Sequence, residues 1–190
     1  MIPAELLLQG YRLGVFPMAM EDDSIEWFSP ERRGIIPLET FHLPHAARRA
    51  WVRKSFEVRI DSAFSEVIRA CARRGETWIN EEIVASYEHL HAIGHAHSVE
   101  AWQKGKLAGG LYGVAIGGGF FGESMFHRVT DASKIALAGL VEQLKRQRFV
   151  LLDTQWLTPH LLQFGAVEVS RAEYLELLER AVNLKRSFAG

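Results

Sequence analysis

Apolar residues follow helical spacing at the start of the chain and strand-like spacing in its middle. Residues 3–16 carry large apolar side chains, among them Leu6 and Phe16, on one side of a predicted helix that ends at Pro17. Residues 18–44 are rich in Trp, Phe and Pro, which predicts short strands and turns along one edge of the main domain.

The next segment predicts two helices. FEVRI, which begins at Phe56, has the alternation of a strand, and Asp61 is expected to cap a helix that runs through Arg73. Asn80 is placed to cap a second helix, and Gly94 is placed to end it.

A glycine-rich hairpin is predicted in the middle of the chain. Residues 107–126 form two apolar runs joined at Gly117–Gly118, a pair suited to a tight turn. Four more glycines lie inside the predicted strands, at positions 109, 110, 113 and 122. Interior glycine weakens a strand, so these four indicate either a sheet crowded against a helix, or a bulge or surface that a ligand approaches closely.

The remaining pattern predicts a helix over about 132–148, a strand RFVLLDTQW, a short helix, a strand GAVEVS and a last helix. Ser170 and Glu173 have the spacing of a capping box. The order predicts an α+β fold with a central mixed, largely antiparallel sheet and flanking helices, and it resembles the N-acetyltransferase (GNAT-like) fold. We divide the chain into a short N-terminal segment, residues 1–36, and a GNAT-like domain, residues 37–190.

Composition narrows the class of protein. With 190 residues, of which 48% are hydrophobic, the chain is long enough to bury a full core. A net charge of −1 argues against broad binding to duplex nucleic acid, although a local basic patch runs from Arg48 to Arg74. No apolar stretch is long enough to span a bilayer and no signal-peptide pattern is present, so a cytoplasmic location is expected. Cys71 is the only cysteine, which excludes an intrachain disulfide.

Asp153 and Gln155 form the first candidate catalytic pair. Residues two apart in a strand face the same side, so a carboxylate and an amide project together at the end of an apolar strand. The carboxylate is expected to accept a hydrogen bond from the amide NH2, which leaves the amide oxygen to hold a hydrogen of an attacking amine. The alternative is a polar pair that only caps the strand end and the following helix.

Glu123 is the second candidate, because it lies among large apolar side chains. Burial of an unpaired carboxylate is costly, so Glu123 must meet a cation, a set of donors or a ligand's amine. The structural alternative is an ion pair with Lys134 or Arg128.

Two further features have competing interpretations. The run HLHAIGHAH looks like a metal site, but Gly94 interrupts its helix and no HExxH is present, so we expect structural histidines and no metal. Trp78 lies in a connector between two helices, where its ring is either part of the core or a platform for a nucleobase.

Taken in order, these stretches resemble one family, the bacterial leucyl/phenylalanyl-tRNA–protein transferases. The segments that carry the resemblance are YRLGVFPM (11–18), WFSPERRGIIP (27–37), TWI (77–79), LHAIGHAHSVEAW (90–102), GGLYGV…FFGESMF…ASK (109–134), LLDTQW (151–156) and HLLQFGA (160–166). The resemblance implies a cytosolic, monomeric enzyme that moves leucine or phenylalanine, with methionine as a further candidate, from its tRNA to the α-amine of a protein beginning with Arg or Lys. Such a transfer marks the protein for N-degron degradation.

The resemblance also implies roles for individual residues. The reaction is aminolysis of an ester, and no metal or other cofactor is expected. Asp153, Gln155 and Glu123 would be catalytic. The substrate-binding set would be Trp78, Leu111, Phe120, Met18 and Ser124, and the set that holds tRNA phosphates would be Arg48, Arg49, Arg53 and Lys54. The interior glycines would give the aminoacylated tRNA end access to the sheet.

This chain departs from the family pattern at two positions, because Met18 and Leu140 stand where the family would place aromatic rings. Two other hypotheses stay open. One is a coenzyme A-dependent acyltransferase on the same fold, against which the loop FHRVTDAS lacks the glycines of a pyrophosphate cradle. The other is a noncatalytic module that binds tRNA or protein N-termini.

Overall fold

The computed structural model describes residues 1–73 and 77–189. Arg74, the last residue of the predicted basic patch, lies outside the described residues. The helices are α1 Ala4–Arg12, α2 His45–Val52, α3 Phe64–Ala72, α4 Glu81–Ala92, α5 Ala132–Arg146, α6 Pro159–Leu162 and α7 Arg171–Val182. The strands are β1 Phe16–Ala19, β2 Ile25–Phe28, β3 Arg32–Ile35, β4 Glu57–Ile60, β5 Ala96–Gln103, β6 Lys106–Ile116, β7 Gly119–His127, β8 Leu151–Gln155 and β9 Val167–Ser170.

Seven of these strands form the main sheet, in the order β4-β5-β6-β7-β8-β3-β9, while β1 and β2 form a separate hairpin. The β7–β8 pair is parallel and the other pairs are antiparallel. A mixed α/β fold with a mixed, largely antiparallel sheet and flanking helices is therefore confirmed. None of the helices in the described part of the chain is long and apolar enough to cross a membrane.

The core is divided between the two faces of the sheet. Leu111 and Tyr112 are neighbours in β6, yet they belong to different apolar clusters because successive strand residues face opposite sides. One cluster takes residues from α1, α3, α4 and α7, and the other takes residues from α5 and α6. Each helix thus buries its apolar side against one face of a shared sheet.

The amino-terminal part contributes to the main sheet, which the sequence did not predict. The helix expected over residues 3–16 was too long, because Gly14 adopts a φ of +78° and the chain enters β1 at Phe16. The strand β3 then lies between β8 and β9, far from its neighbours in sequence.

The predicted cap of α3 by Asp61 is wrong. Its carboxylate turns away to the next strand and accepts hydrogen bonds from the Ser98 backbone N–H, at 2.9 Å, and the His97 ring, at 2.7 Å. At the start of α3, the acceptor is Glu100 instead of Asp61. Its carboxylate accepts hydrogen bonds from Ser62 Oγ at 2.6 Å and from the Ala63 backbone N–H at 3.3 Å. A carboxylate from a neighbouring strand therefore satisfies the donors at this helix start.

Three other predicted helix ends are confirmed: the start and the end of α4, and the start of α7. Asn80 Oδ1 accepts from the Ile83 backbone N–H at 3.0 Å. Gly94 follows α4 with a φ of +80°. Ser170 and Glu173 form the capping box of α7.

Close packing within the chain explains three of the four interior glycines. A Cβ on Gly109 would come within 2.7 Å of the Ala132 side chain, and one on Gly110 within 3.2 Å of Val67. A Cβ on Gly113 would overlap the Phe121 carbonyl oxygen. Gly109 and Gly110 therefore fit a sheet crowded against helices, whereas Gly113 lies at a β-bulge, where β7 itself occupies the space.

We predict that Gly113→Ala lowers the free energy of unfolding by about 2 kcal/mol or more, because backbone must move to admit the methyl group. Gly119→Ala is the matched control, since its Cβ would meet ordinary van der Waals contacts at 3.4 Å and beyond. Urea denaturation of both variants measures the difference. Equal stabilities would contradict the crowding argument.

Candidate functional site

A cleft of about 340 Å³ opens beside the carboxyl end of β8. One wall is apolar and is formed by Leu111, Met125, Leu137, Leu140, Leu152 and Leu161. Its polar lining includes Glu123 and Gln155, and Trp78 and Trp156 also line it. A cleft with an extended apolar wall and a few convergent polar groups is typical of a site for a small apolar substrate group.

A β-bulge places Glu123 at this cleft. Tyr112 of β6 pairs with Ser124, but Gly113 pairs with Gly122, so Glu123 has no cross-strand partner on β6. The bulge adds an unpaired residue to β7, and the Glu123 side chain lies on the same face as Phe121, where both meet Tyr11. The sequence argument had allowed for a bulge here, and the register shift confirms it.

The strands β7 and β8 separate just before the two polar side chains. Their parallel pairing covers three positions and ends where Phe121 faces Asp153. Glu123 and Gln155 each lie two residues further along, where Gln155 Nε2 donates to Glu123 Oε1 at 2.9 Å. The gap between the strands is therefore spanned by a side-chain hydrogen bond instead of a backbone one.

Two tyrosines complete the surroundings of Glu123. The hydroxyl of Tyr11, from α1, donates to Glu123 Oε1 at 2.7 Å, and the hydroxyl of Tyr87, from α4, lies 3.4 Å from Oε2. The two hydroxyls also hydrogen bond to each other. Burial raises the pKa of both tyrosines, so each keeps its hydrogen at neutral pH.

Glu123 thus meets hydroxyl and amide donors, not a cation. The ion pairs considered from the sequence are absent among the described residues, since Lys134 pairs with Asp131 and Arg128 pairs with Glu66. Burial is the largest influence on Glu123, and with the nearby charge of Asp153 it raises the pKa to about 7 against the opposing hydrogen bonds. Glu123 can therefore release or take up a proton near neutral pH.

Asp153 lies behind the cleft and is fully buried. Arg33 of β3 binds it bidentately, with Nε 2.9 Å from Oδ1 and Nη2 2.6 Å from Oδ2. Tyr174 of α7 donates to Oδ2 at 2.7 Å. The Arg33 guanidinium is also held between the rings of Phe16 and Tyr174, at 4.7 and 4.4 Å from their centroids.

The predicted hydrogen bond between the Asp153 carboxylate and the side-chain amide of Gln155 is wrong. Asp153 accepts its hydrogen bond from the Gln155 backbone N–H, at 2.8 Å, and the amide NH2 donates to Glu123 instead. Gln155 adopts a φ of +66°, which turns the chain at the strand end. Both side chains meet residues of the face covered by α1, α4 and α7, but they do not hydrogen bond to each other.

The other predicted substrate-binding residues divide into two groups. Trp78, Leu111 and Ser124 line the cleft. Phe120 does not line it, because its ring is fully buried and packs against Phe188 at a centroid distance of 5.2 Å. Met18 lies in the β1–β2 hairpin, where it packs against the core, and it does not line the cleft.

The four predicted tRNA-binding residues lie on or just after α2. Arg48, Arg49, Arg53 and Lys54 are all exposed. Within residues 1–73 and 77–189, none of them lies within ion-pair distance of a carboxylate. This helix therefore presents a basic surface.

The histidine run has structural partners. His91 Nδ1 lies 2.8 Å from the Ala96 carbonyl oxygen, and His97 Nδ1 lies 2.7 Å from Asp61 Oδ2. In the described part of the chain, no group of three or more His, Cys, Asp or Glu side chains is arranged to hold a metal ion.

The sequence argument missed several residues of the site. Tyr11 and Tyr87 were not singled out, although a buried tyrosine hydroxyl needs a polar partner. Trp156 and His160 also line the cleft. Trp156 lies in the quoted segment LLDTQW and His160 in HLLQFGA, so the motif series contained both without assigning them a role.

Comparisons with known proteins now identify the class, which is an aminoacyltransferase. The family model described as leucyl/phenylalanyl-tRNA protein transferase matches residues 35–179, and the model of that family's N-terminal domain matches residues 1–31. The chain belongs to the leucyl/phenylalanyl-tRNA–protein transferase family, and the resemblance described from its motifs is confirmed.

Curated relatives support the same assignment. A leucyl/phenylalanyl-tRNA–protein transferase of Ruegeria pomeroyi is 55% identical over 99% of this chain and 90% of its own length. Transferases of the same name from Herpetosiphon aurantiacus and Akkermansia muciniphila are 52% and 55% identical, over 97% and 94% of this chain and 96% and 95% of their own lengths. Among solved structures, L-PGS from Bacillus licheniformis aligns over 95% of this chain and 71% of its own, with 11% identity and a TM-score of 0.49.

We predict a pH dependence of stability that Glu123 causes. Because folding raises its pKa from 4.5 to about 7, the folded state binds this proton more tightly than the unfolded state. The stabilisation is therefore full below pH 4.5 and is lost as the pH rises to about 7. Relative to Glu123→Gln, the free energy of unfolding should fall by about 3 kcal/mol across this window.

Urea denaturation of the wild type and of Glu123→Gln, in steps from about pH 4 to 8, measures this difference. A difference that does not change with pH would show that Glu123 keeps an ordinary pKa in the folded protein.

Proposed function

We propose that this chain transfers leucine, phenylalanine or methionine from aminoacyl-tRNA to the α-amine of proteins that begin with Arg or Lys, and so marks them for N-degron degradation. The observation that carries the proposal is the hydrogen-bonded pair of Glu123 and Gln155 in the lining of a largely apolar cleft. Membership of the family supports the reaction class. The acceptor residues and the fate of the product are part of the proposal.

The apolar wall is suited to the aminoacyl side chain. A cleft of about 340 Å³ has room for a leucine, methionine or phenylalanine side chain together with the ester that carries it. Leu140 leaves more space than a ring would at the same position, and Met125 supplies a flexible contact. The terminal adenosine would stack on Trp78 at the mouth of the cleft.

Glu123 and Gln155 would assist the attack of the acceptor amine on the ester carbonyl. The amine forms the new bond to the carbonyl carbon and loses a proton, while the terminal ribose leaves through its oxygen and gains one. Glu123, with a pKa of about 7, is suited to accept the first proton and to return one to the ribose oxygen. Gln155, 2.9 Å from Glu123, would hold the amine in place.

Asp153 would act as a positioning residue. It does not line the cleft, but it accepts the Gln155 backbone N–H at 2.8 Å and so fixes the turn that carries the amide. Arg33 and Tyr174 hold Asp153 in turn. Direct contact between Asp153 and substrate is not required for this role.

The remaining expectations are proposals on the same basis. The basic surface of α2 would hold tRNA phosphates. We propose a GNAT-like sheet, supported by the separation of β7 and β8 beyond Phe121, and a division into an N-terminal segment, residues 1–36, and a catalytic domain, residues 37–190. We also propose that the protein is a monomer and that it acts in the cytoplasm, where aminoacyl-tRNA is made.

The direct test is a transfer assay with Leu-, Phe- and Met-tRNA against peptides that begin with Arg, Lys or Ala. We expect label on the Arg and Lys peptides and none on the Ala peptide. Absence of transfer from every tRNA by folded protein would overturn the proposal. Tight binding of acetyl-coenzyme A would favour a coenzyme A-dependent acyltransferase, and tRNA binding without transfer would favour a noncatalytic module.

We predict that Glu123→Gln lowers kcat by about 100-fold or more, because the amide cannot exchange a proton. The wild-type pH–rate profile should carry an inflection near 7 from Glu123, and the variant should lose it. Glu179→Gln, at an exposed site on α7, is the matched control. If kcat is unchanged in Glu123→Gln, proton exchange by Glu123 does not contribute to the rate, and the site acts only by positioning its substrates.

A further inference from the structure

Trp156 is an exposed aromatic residue of the cleft to which the proposed chemistry assigns no role. It directly follows Gln155, and 39% of the residue is exposed. Its ring centroid lies 5.0 Å from that of Phe16, with the rings at 90°, and 6.2 Å from that of Phe28, with the rings at 64°. Phe16 and Phe28 are cross-strand partners in the β1–β2 hairpin. The hairpin therefore holds Trp156 in one orientation, while part of the residue stays open to an occupant of the cleft.

Trp156 and the apolar wall of the cleft contact different apolar clusters. The wall residues belong to or pack against the cluster that includes α5 and α6, whereas Phe16 and Phe28 belong to or pack against the cluster on the other face of the sheet. Glu123 accepts its hydrogen bond from Tyr11, which is part of this second cluster as well. An aminoacyl side chain on the wall would therefore leave the Trp156 side of the cleft to the other substrate groups.

Trp78 and Trp156 are held at two points of the strand β1. The Ala19 backbone N–H donates to the Trp78 carbonyl oxygen at 3.1 Å, three residues after Phe16, which contacts Trp156. The proposed function assigns Trp78 to the terminal adenosine, so the ring that remains would meet the acceptor protein. Adjacent Cα atoms are about 3.8 Å apart, so a long side chain next to an amine held by Gln155 would reach the indole ring.

The charges around Trp156 favour a cation. Among the described residues that line the cleft there is no Lys or Arg, and Glu123 supplies the one carboxylate. Residues 16–28, which form the hairpin, carry four exposed Asp or Glu side chains and no Lys, Arg or His. Arg33 lies 4.7 Å from the Phe16 centroid, but its charge is compensated by its buried ion pair. Because indole is the aromatic ring that attracts cations most strongly, an ammonium or guanidinium group suits this position.

We propose that Trp156 binds the cationic side chain of the acceptor's first residue, by stacking its indole ring on the guanidinium of Arg or the ammonium of Lys. This inference rests on the proposed function, because it assigns the acceptor specificity of the same site. The α-amine would lie at Gln155 and Glu123, and the side chain would extend across Trp156 toward the acidic hairpin. Trp156 is then a residue that determines specificity for the acceptor and not for the aminoacyl group.

The experiment compares an acceptor peptide that begins with Arg and one that begins with citrulline, which keeps the shape of Arg without its charge. With Leu-tRNA as donor, the wild-type kcat/KM should be about tenfold higher for the Arg peptide. In Trp156→Leu, which keeps an apolar side chain but no ring, this ratio should fall toward one, and the KM of the Arg peptide should rise about tenfold. Trp156→Phe should keep part of the ratio because a ring remains.

Trp27→Leu is the matched control, because Trp27 lies in the same hairpin and is similarly exposed, at 36%, but does not line the cleft. Its ratio should equal that of the wild type. Each ratio is measured on one protein preparation, so partial loss of folded enzyme cancels. If the citrulline peptide is not used at all, the KM of the Arg peptide decides the comparison.

A wild-type ratio of one would overturn the contact with the acceptor side chain and leave the proposed function intact. The same holds if Trp156→Leu changes neither the ratio nor the KM of the Arg peptide. A higher KM for Leu-tRNA at an unchanged ratio would assign the ring to the terminal adenosine, and this would also overturn the proposal. No transfer to any peptide from Leu-, Phe- or Met-tRNA would overturn the proposed function itself.

Discussion

The buried ion pair between Arg33 and Asp153 connects the parts of the molecule on which the site depends. Arg33 lies on β3, Asp153 on β8, and Tyr174 of α7 donates to the same carboxylate. Asp153 also accepts the Gln155 backbone N–H, so the turn that carries the amide is tied to this pair. Removing one partner of a buried ion pair leaves an uncompensated charge, which is why such pairs hold neighbouring elements in one arrangement.

The two buried carboxylates of the site have different surroundings and are therefore suited to different tasks. Asp153 faces a guanidinium in bidentate geometry, away from the cleft. Glu123 faces two tyrosine hydroxyls and an amide, with its pKa raised to about 7. A carboxylate held by a cation maintains structure, whereas one held by neutral donors can exchange protons near neutral pH.

The separation of β7 and β8 connects the fold to this chemistry. Where backbone pairing stops, both strands still present polar side chains, and Glu123, at the bulge of β7, accepts a hydrogen bond from Gln155. The apolar wall from α5 and β6 then reaches the same point from the other side. An ester whose side chain lies along that wall would have its carbonyl near Glu123, whose pKa is raised to about 7.

The sequence by itself determined the local structure and the family. Caps at Asn80 and Ser170, the turn at Gly117 and the run of strands follow from short-range rules, because a cap or a turn involves residues a few positions apart. The motif series was sufficient for the family, and it named Glu123 and Gln155. Tertiary structure alone decided what those residues contact.

The partners of Asp153 and Glu123 come from far along the chain. Arg33 enters through a strand inserted between β8 and β9, and Tyr11 and Tyr87 come from two separate helices. The sequence argument also assigned the wrong partner to the Gln155 amide, because its acceptor, Glu123, comes from a different strand. A buried polar group requires some partner, but which residue supplies it depends on packing between elements distant in sequence.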